Sequence, residues 1–88
     1  MTPEEFKAQL QPLGFHEFVL VEWPANGGLD EHTHPFEARA LILSGEITLE
    51  VDGRQTLYRK GEIFHLTHGQ PHEERYGPAG VRYLVGRK

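Results

Sequence analysis

From residue 15 onwards, short apolar stretches alternate with clusters that contain glycine, proline, asparagine or aspartate. The stretches are rich in Val, Ile, Leu, Phe and Tyr, and the clusters between them are PANGG, SGE, VDGR, RKGE, HGQP and GPAGV. Such clusters form turns, and their spacing along this chain is typical of an all-β sandwich or barrel. The connections are short and no repeat or low-complexity segment intervenes, so we expect residues 1–88 to form a single domain.

The clearest strand of the chain is EITLEVDG. In this stretch Ile47, Leu49 and Val51 alternate with polar residues, so one face of the strand is expected to be buried and the other wet. Asp52-Gly53 then predicts a two-residue hairpin turn that leads into RQTLY.

One short helix is expected before the strands, in the stretch TPEEFKAQLQPLG. Thr2 can cap it, Pro3 suits its first position and Glu5 completes a capping box. Phe6 and Leu10 share its apolar side, and the proline and glycine that follow end it.

The size of the chain restricts how it can be stabilised. A domain of 88 residues removes only about 60 to 65% of its unfolded surface from water, so its core is thin. Small domains usually gain stability from disulfides, a bound metal or self-association. There is no cysteine, which excludes disulfides and thiolate zinc sites. A metal held by histidine, or a homodimer, remains.

Charge and hydropathy argue against two classes of partner. The formal net charge is −4 and the nine Lys and Arg residues are scattered, so no basic face is visible for nucleic acid. The longest apolar stretch is a few residues, far below the roughly 20 needed to cross a bilayer. The stretch MTPEEFKAQL is acidic where a signal peptide is basic. We therefore expect a cytoplasmic protein that binds neither nucleic acid nor membrane.

Six histidines in a chain of this length are a high number, and two of them are separated by one residue. Residues i and i+2 of an extended strand point to the same face, so His32 and His34 are expected to project side by side. Their rings could hold one ion through nitrogen atoms. A third ligand must come from elsewhere, and the alternative is a solvated loop that binds nothing.

Two stretches taken together resemble the motifs of the cupin superfamily, G-x5-H-x-H-x(3,4)-E-x6-G and G-x5-P-x-G-x2-H-x3-N. The first lies at about 27–45 and the second at about 61–76, and they match at His32, His34, Gly45, Gly61, Gly69 and His72. Ala38 stands where the family has glutamate, Thr67 where it has proline and Tyr76 where it has asparagine. The nearest carboxylate, Glu37, is one residue out of register, and strand alternation turns it to the opposite face. Glu37 could be a fourth ligand only if a bulge or the bend at Pro35 re-aims it.

The resemblance implies a small double-stranded β-helix, the cupin barrel, preceded by the short helix. His32, His34 and His72 would hold a divalent transition metal (Fe, Zn, Ni, Cu or Mn) and leave positions open to water or substrate. It also implies a metal-dependent enzyme, with dioxygenase-like, isomerase-like or Lewis-acid chemistry on a small organic molecule. The alternative is a non-catalytic cupin module that binds or senses a small ligand. Family members often pair, so we expect a homodimer.

Two further residues of the second motif are candidate catalytic groups. Alternation after His72 places Glu74 and Tyr76 on the same face of the strand as the histidine. Tyr76 can donate a hydrogen bond, and Glu74 can act as an acid, a base or a spare metal ligand.

Four other residues are weaker candidates. His65 and His68 lie near the second motif, and His65 could act as a ligand or transfer protons, although a surface position is the favoured alternative for both. Arg39 and Arg82 are the candidate cationic residues for the rim of the pocket, again with surface exposure as the favoured alternative.

Overall fold

The computed structural model describes residues 1–88 and contains one helix and six antiparallel strands. The elements are α1 (Pro3–Leu10), a 3₁₀ turn (Gln11–Leu13), β1 (Glu17–Trp23), β2 (Gly28–His32), β3 (Ala38–Val51), β4 (Arg54–Arg59), β5 (Ile63–Leu66) and β6 (His72–Arg87). The prediction of an all-β chain with a short N-terminal helix is therefore confirmed. No helix is long and apolar enough to cross a bilayer.

The two longest strands, β3 and β6, pair with each other along most of their length and organise the sheet. Around the first half of β3 the strand order is β1-β6-β3-β5, and around its second half the order is β2-β6-β3-β4. The register of the β3–β6 pair shifts between Ile42 and Ser44 and again between Gly45 and Ile47. Both strands bend there, so the two halves of the sheet fold over a common core.

Two glycines make this bend possible. Gly45 and Gly80 have φ angles of +71° and +72°, which L side chains rarely adopt. They also lie against each other, since a Cβ atom on Gly45 would collide with the carbonyl oxygen of Gly80. The glycine predicted to end the first motif thus permits the close approach of β3 and β6.

The local predictions for the helix and the hairpin are confirmed. Thr2 and Glu5 form the capping box, with Glu5 N–H donating to Thr2 Oγ1 and Thr2 N–H donating to Glu5 Oε1. The β3–β4 hairpin turns at Asp52 and Gly53, whose φ angles of +51° and +75° are those of a type I′ turn.

The buried side chains form two clusters. The smaller one is made where α1 packs on the outer face of the sheet, with Phe6 and Leu10 against Phe15, Leu41 and Leu84. The larger cluster lies between the two halves of the sheet and contains inward-facing residues of β3, β5 and β6. His32 is the last residue of β2, His72 is the first residue of β6, and His34 lies two residues beyond the end of β2.

Candidate metal centre

Strand pairing brings the histidines of the two motifs together. His32 ends β2 and is the direct cross-strand partner of His72, the first residue of β6. The ring centroids of these two residues are 4.2 Å apart, and that of His34 is 4.9 Å from His32 and 5.2 Å from His72. Glu74 joins them from the same face of β6. One ligand atom from each of the four residues lies within 4.8 Å of all the others.

Backbone carbonyl groups determine which nitrogen of two of these rings faces the cluster. Nδ1 of His32 lies 2.7 Å from the carbonyl oxygen of Asp30, and Nδ1 of His72 lies 2.9 Å from that of Gln70. A carbonyl oxygen only accepts hydrogen bonds, so Nδ1 carries the proton in both rings. In the neutral form of each ring, Nε2 therefore has a free lone pair that faces the cluster.

Both Nε2 atoms meet the same carboxylate oxygen. Glu74 Oε2 lies 3.0 Å from Nε2 of His32 and 3.1 Å from Nε2 of His72. Glu74 and His72 are 5% and 2% exposed, so water contributes little here. His32 Nε2 is also buried, and despite the short distance its orientation towards Glu74 does not make a hydrogen bond. Two lone pairs and a negative oxygen repel one another unless a proton or a metal ion lies between them.

The pKa values of the cluster follow from this arrangement. Burial acts to lower the pKa of His72, but the hydrogen bonds to Glu74 and Gln70 and the charge of Glu74 outweigh it, so the pKa is raised. Burial acts to raise the pKa of Glu74, but hydrogen bonds from His72 and Tyr76 outweigh it, so the pKa is lowered. Burial and the neighbouring His32 and His72 lower the pKa of His34, which favours the neutral, ligating form of its ring.

The spacing of the cluster fits a divalent metal ion. Ligand atoms bonded at about 2.0 to 2.2 Å and at right angles lie about 3 Å from each other, and the two measured N–O distances are 3.0 and 3.1 Å. Three imidazoles and one carboxylate are donors that Fe, Zn, Ni, Cu and Mn all accept. The cluster of His32, His34, His72 and Glu74 is thus compatible with a metal, whose identity the donor set leaves open.

Three aromatic residues hold the carboxylate in place. The Tyr76 hydroxyl donates to Oε1 of Glu74 at 3.1 Å, and the Tyr76 ring stacks on Trp23 with the two ring planes 2° apart. Trp23 Nε1 in turn donates to the Tyr83 hydroxyl at 3.2 Å. Burial and the charge of Glu74 raise the pKa of Tyr76, so its hydroxyl stays protonated and remains a donor. Burial raises the pKa of Tyr83 to about 12.

A cavity of about 110 Å³ opens beside the cluster, inside the folded sheet. His34 and Glu74 form part of its wall, and the rest is largely apolar and aromatic. Four aromatic residues contribute to this wall, namely Trp23, Phe36, Phe64 and Tyr83. One basic residue, Arg87, also lies in the wall.

Comparison with known proteins decides the family. The model of the cupin domain matches residues 19–84, three quarters of the chain. The chain belongs to the cupin domain family. The matched region contains both motifs and all four residues of the cluster.

Several solved structures share this fold. A protein of unknown function from Rhizobium leguminosarum has a TM-score of 0.75 at 17% identity over 80% of this chain and 66% of its own. An RmlC-like cupin from Desulfovibrio desulfuricans has a TM-score of 0.65 at 24% identity, covering 82% and 74% of the two chains. The DMSP lyase DddQ from Ruegeria pomeroyi has a TM-score of 0.73 at 26% identity, covering 81% and 36%. The chain thus spans less than two thirds of the length of several such structures. No curated protein matches it by sequence.

The position of the family's missing glutamate is now clear. Ala38 is 4% exposed and lies in the cavity wall. Glu37 is turned away from the cluster, as strand alternation predicts, and its carboxylate lies 2.6 Å from Nε2 of His65. The hydrogen bond from His65 lowers the pKa of Glu37. The carboxylate of this cupin's cluster therefore comes from Glu74, on the strand of the second motif.

The other basic candidates lie outside the cluster. His65 pairs with Glu37 and His68 is exposed. Arg82 pairs with Glu22 on the surface, and Arg39 lies over the ring of Phe15. Neither arginine lines the cavity.

Sequence analysis overlooked Arg87, the basic residue that does line the cavity. It lies four positions after Tyr83 on the same strand, so the period of two along β6 places both side chains on the inner face. Alternation continued from Tyr76 would have selected Arg82, because the inward positions of β6 change from even to odd numbers between Tyr76 and Val81. Alternation counted from Tyr83 is the signal that leads to Arg87.

Proposed function

We propose that this cupin binds one divalent transition metal ion through His32, His34, His72 and Glu74, and that the bound ion activates a small organic molecule. The observation that carries the proposal is the shared carboxylate oxygen. Two imidazoles, each with its Nδ1 proton held by a backbone carbonyl, direct Nε2 at Oε2 of Glu74 from 3.0 and 3.1 Å. A cation between these atoms turns repulsion into attraction.

The roles of the residues follow from their contacts. His32, His34 and His72 would supply neutral nitrogen ligands, and Glu74 would cancel one of the two charges of the ion. Tyr76 would orient Glu74 through its hydroxyl, which leaves the tyrosine as a positioning residue and makes Glu74 the group closest to the reacting atoms. A divalent ion bound here would act as a Lewis acid that polarises an oxygen of the ligand. The cavity would place that ligand beside His34 and exclude most water from it.

One observation favours a second candidate, a cupin module that binds a ligand without catalysis. The groups best placed to move protons are committed to one another, because the Tyr76 hydroxyl and the His72 ring both bond to Glu74. The raised pKa values of Tyr76 and Tyr83 also disfavour either hydroxyl as a base near neutral pH. A module of this kind would keep the metal and the ligand but lack turnover.

Two measurements on protein purified without a histidine tag test the proposal. Elemental analysis should find close to one transition metal ion per chain, and none above background in His72→Ala. His68→Ala is the matched control, because His68 is exposed and lies outside the cluster. Equal metal in all three proteins, or none in any, would contradict metal binding. O₂ uptake and product formation are then measured with the metal found and a panel of small carbonyl and carboxylate compounds, since turnover supports the enzyme and binding alone supports the module.

A further inference from the structure

Arg87 is the basic residue in the wall of the cavity, and it is held close to the cluster. Its guanidinium lies over the ring of Phe36 at 4.7 Å from the ring centre. Phe36 stacks in turn on His34, with ring centroids 5.0 Å apart. The positive charge of Arg87 is therefore one aromatic ring away from a proposed metal ligand.

Not all N–H groups of the Arg87 guanidinium have an acceptor within the chain. Nη1 donates to Oε1 of Glu17 at 3.1 Å, at the protein surface. Nε is buried and has no hydrogen-bond partner in the chain. A buried N–H group without an acceptor is unfavourable, so an oxygen of a ligand in the cavity that reaches Nε would stabilise it. Nε and Nη2 form a pair of parallel donors that matches the two oxygens of a carboxylate.

The size and charge of the cavity restrict what such an acceptor can be. A volume of about 110 Å³ holds about four water-sized groups, since one water takes up about 30 Å³ in the liquid. The walls are largely apolar, with Phe36 and Val85 among them. A divalent ion with one carboxylate ligand keeps a net positive charge, and the N–H groups of Arg87 that Glu17 leaves unbound add donors for an anion. A small anion with a short apolar body fits both conditions.

We propose that this cavity binds a short aliphatic carboxylate, whose oxygens accept hydrogen bonds from Nε and Nη2 of Arg87 and whose hydrocarbon body lies against Phe36 and Val85. Arg87 is then a specificity-determining residue that selects anions over neutral molecules of the same shape. The inference deepens the proposed function, on which it rests for the ion at the other end of the cavity. The contact with Arg87 itself involves no metal.

Calorimetric titration with propionate and with its neutral analogue propionamide tests the inference, in zinc-loaded and in zinc-free protein. Wild type should bind propionate more tightly than propionamide. Arg87→Gln should weaken propionate binding about tenfold or more, as expected when a hydrogen bond to a charged group is lost. It should weaken propionamide binding less than propionate binding and should leave zinc affinity unchanged. Arg82→Gln is the matched control, because Arg82 is on the same strand but faces outwards and pairs with Glu22.

The outcomes separate this inference from the proposed function. Equal propionate affinity in Arg87→Gln and wild type, with zinc still bound, would overturn the role of Arg87 and leave the metal site standing. Absence of zinc binding, together with Arg87-dependent propionate binding to zinc-free protein, would overturn the metal site and support Arg87. Arg87→Lys keeps the charge but loses the paired donors, and it replaces Arg87→Gln if that variant does not fold. Undiminished propionate affinity in Arg87→Lys would also contradict the inference.

Discussion

His32 and His72 are direct partners across the β2–β6 ladder, and each donates its Nδ1 proton to the backbone carbonyl two residues before it. The two strands thus repeat one local arrangement. The carbonyl oxygen of Asp30 accepts from His32, and that of Gln70 accepts from His72. The pairing register places the rings together, and the carbonyl contacts direct both Nε2 atoms at Glu74. The backbone therefore orients both rings of the proposed metal site without an ion.

The carboxylate at the centre of the cluster should dominate the affinity for metal. Glu74→Gln keeps the shape of the side chain but removes the negative charge, so zinc affinity should fall by more than the roughly 10- to 100-fold that loss of an outer partner costs. Tyr76→Phe removes only the hydrogen bond to Oε1 and should cost roughly tenfold. Competition with a chromogenic chelator measures both. Equal affinity in Glu74→Gln and wild type would show that Glu74 is not a ligand.

Without a bound ion, the joint contribution of His72 and Glu74 to stability should be greatest between about pH 4.5 and 6.5, whereas the lowered pKa of His34 makes the fold lose stability as the pH falls below 6.5. The pKa of His72 is raised above 6.5, so its protonated form stabilises the fold below that pH, and this contribution is lost as the pH rises through the raised pKa. The pKa of Glu74 is lowered below 4.5, so its contribution is present above that pH and is lost as the pH falls through the lowered pKa.

Bound zinc should reverse the loss of stability that His72 causes as the pH rises above 6.5. Imidazoles must be neutral to bind the ion, so the rise in melting temperature caused by zinc should grow from pH 5 to 7.5. Differential scanning calorimetry with and without zinc measures it, and His72→Ala should show no such rise. A zinc-induced shift of the same size at both pH values would argue against ligation by histidine.

Gly45 offers a test of the fold with an internal control. In Gly45→Ala the new methyl group meets the carbonyl of Gly80 at a φ of +71°, so the bend between the halves of the sheet cannot form. We expect the free energy of unfolding to fall by about 3 kcal/mol or more, the range of strained or overpacked sites. Gly53→Ala has a similar φ but open space around it, and should cost only about 1 kcal/mol. Urea denaturation compares them, and equal losses would contradict the role given to the Gly45–Gly80 contact.

The local elements of this cupin were predictable because neighbouring residues determine them. The capping box needs Thr2 and Glu5, the hairpin needs Asp52 and Gly53, and alternation from His72 is enough to place Glu74 on the inner face. The period of two also predicted, from the position of Glu37 next to Ala38, that the Glu37 side chain faces away from the cluster.

The arrangement of the cluster depends on contacts between residues distant in the chain. That Glu74 bridges His32 and His72 follows from the β2–β6 register, which joins residues forty positions apart. The contact of Arg87 with Phe36 likewise depends on how β6 ends beside the segment before β3. Local periodicity contains no information about either distance. The contact of one Glu74 oxygen with both histidine rings could therefore not be predicted from the sequence.

We further propose that the chain forms a homodimer through its barrel strands. Edge strands present unpaired backbone groups, and apolar side chains on three of them are partly exposed, namely Leu20 on β1, Leu57 on β4 and Ile63 on β5. Sedimentation velocity at high micromolar concentration should show a dimer that Leu20→Lys, Leu57→Lys or Ile63→Lys weakens. A monomer under those conditions would contradict the proposal.

The histidine rings themselves report most directly on the proposed metal site. Long-range ¹H–¹⁵N NMR spectra of uniformly labelled protein distinguish protonated, free and metal-bound ring nitrogens. Before zinc is added, His32 and His72 should carry a proton on Nδ1. One equivalent of zinc should then shift Nε2 of both residues and one ring nitrogen of His34, while His16, His65 and His68 remain unchanged. Zinc that leaves the three cluster histidines unchanged, or that shifts the other three instead, would contradict a metal site at this cluster.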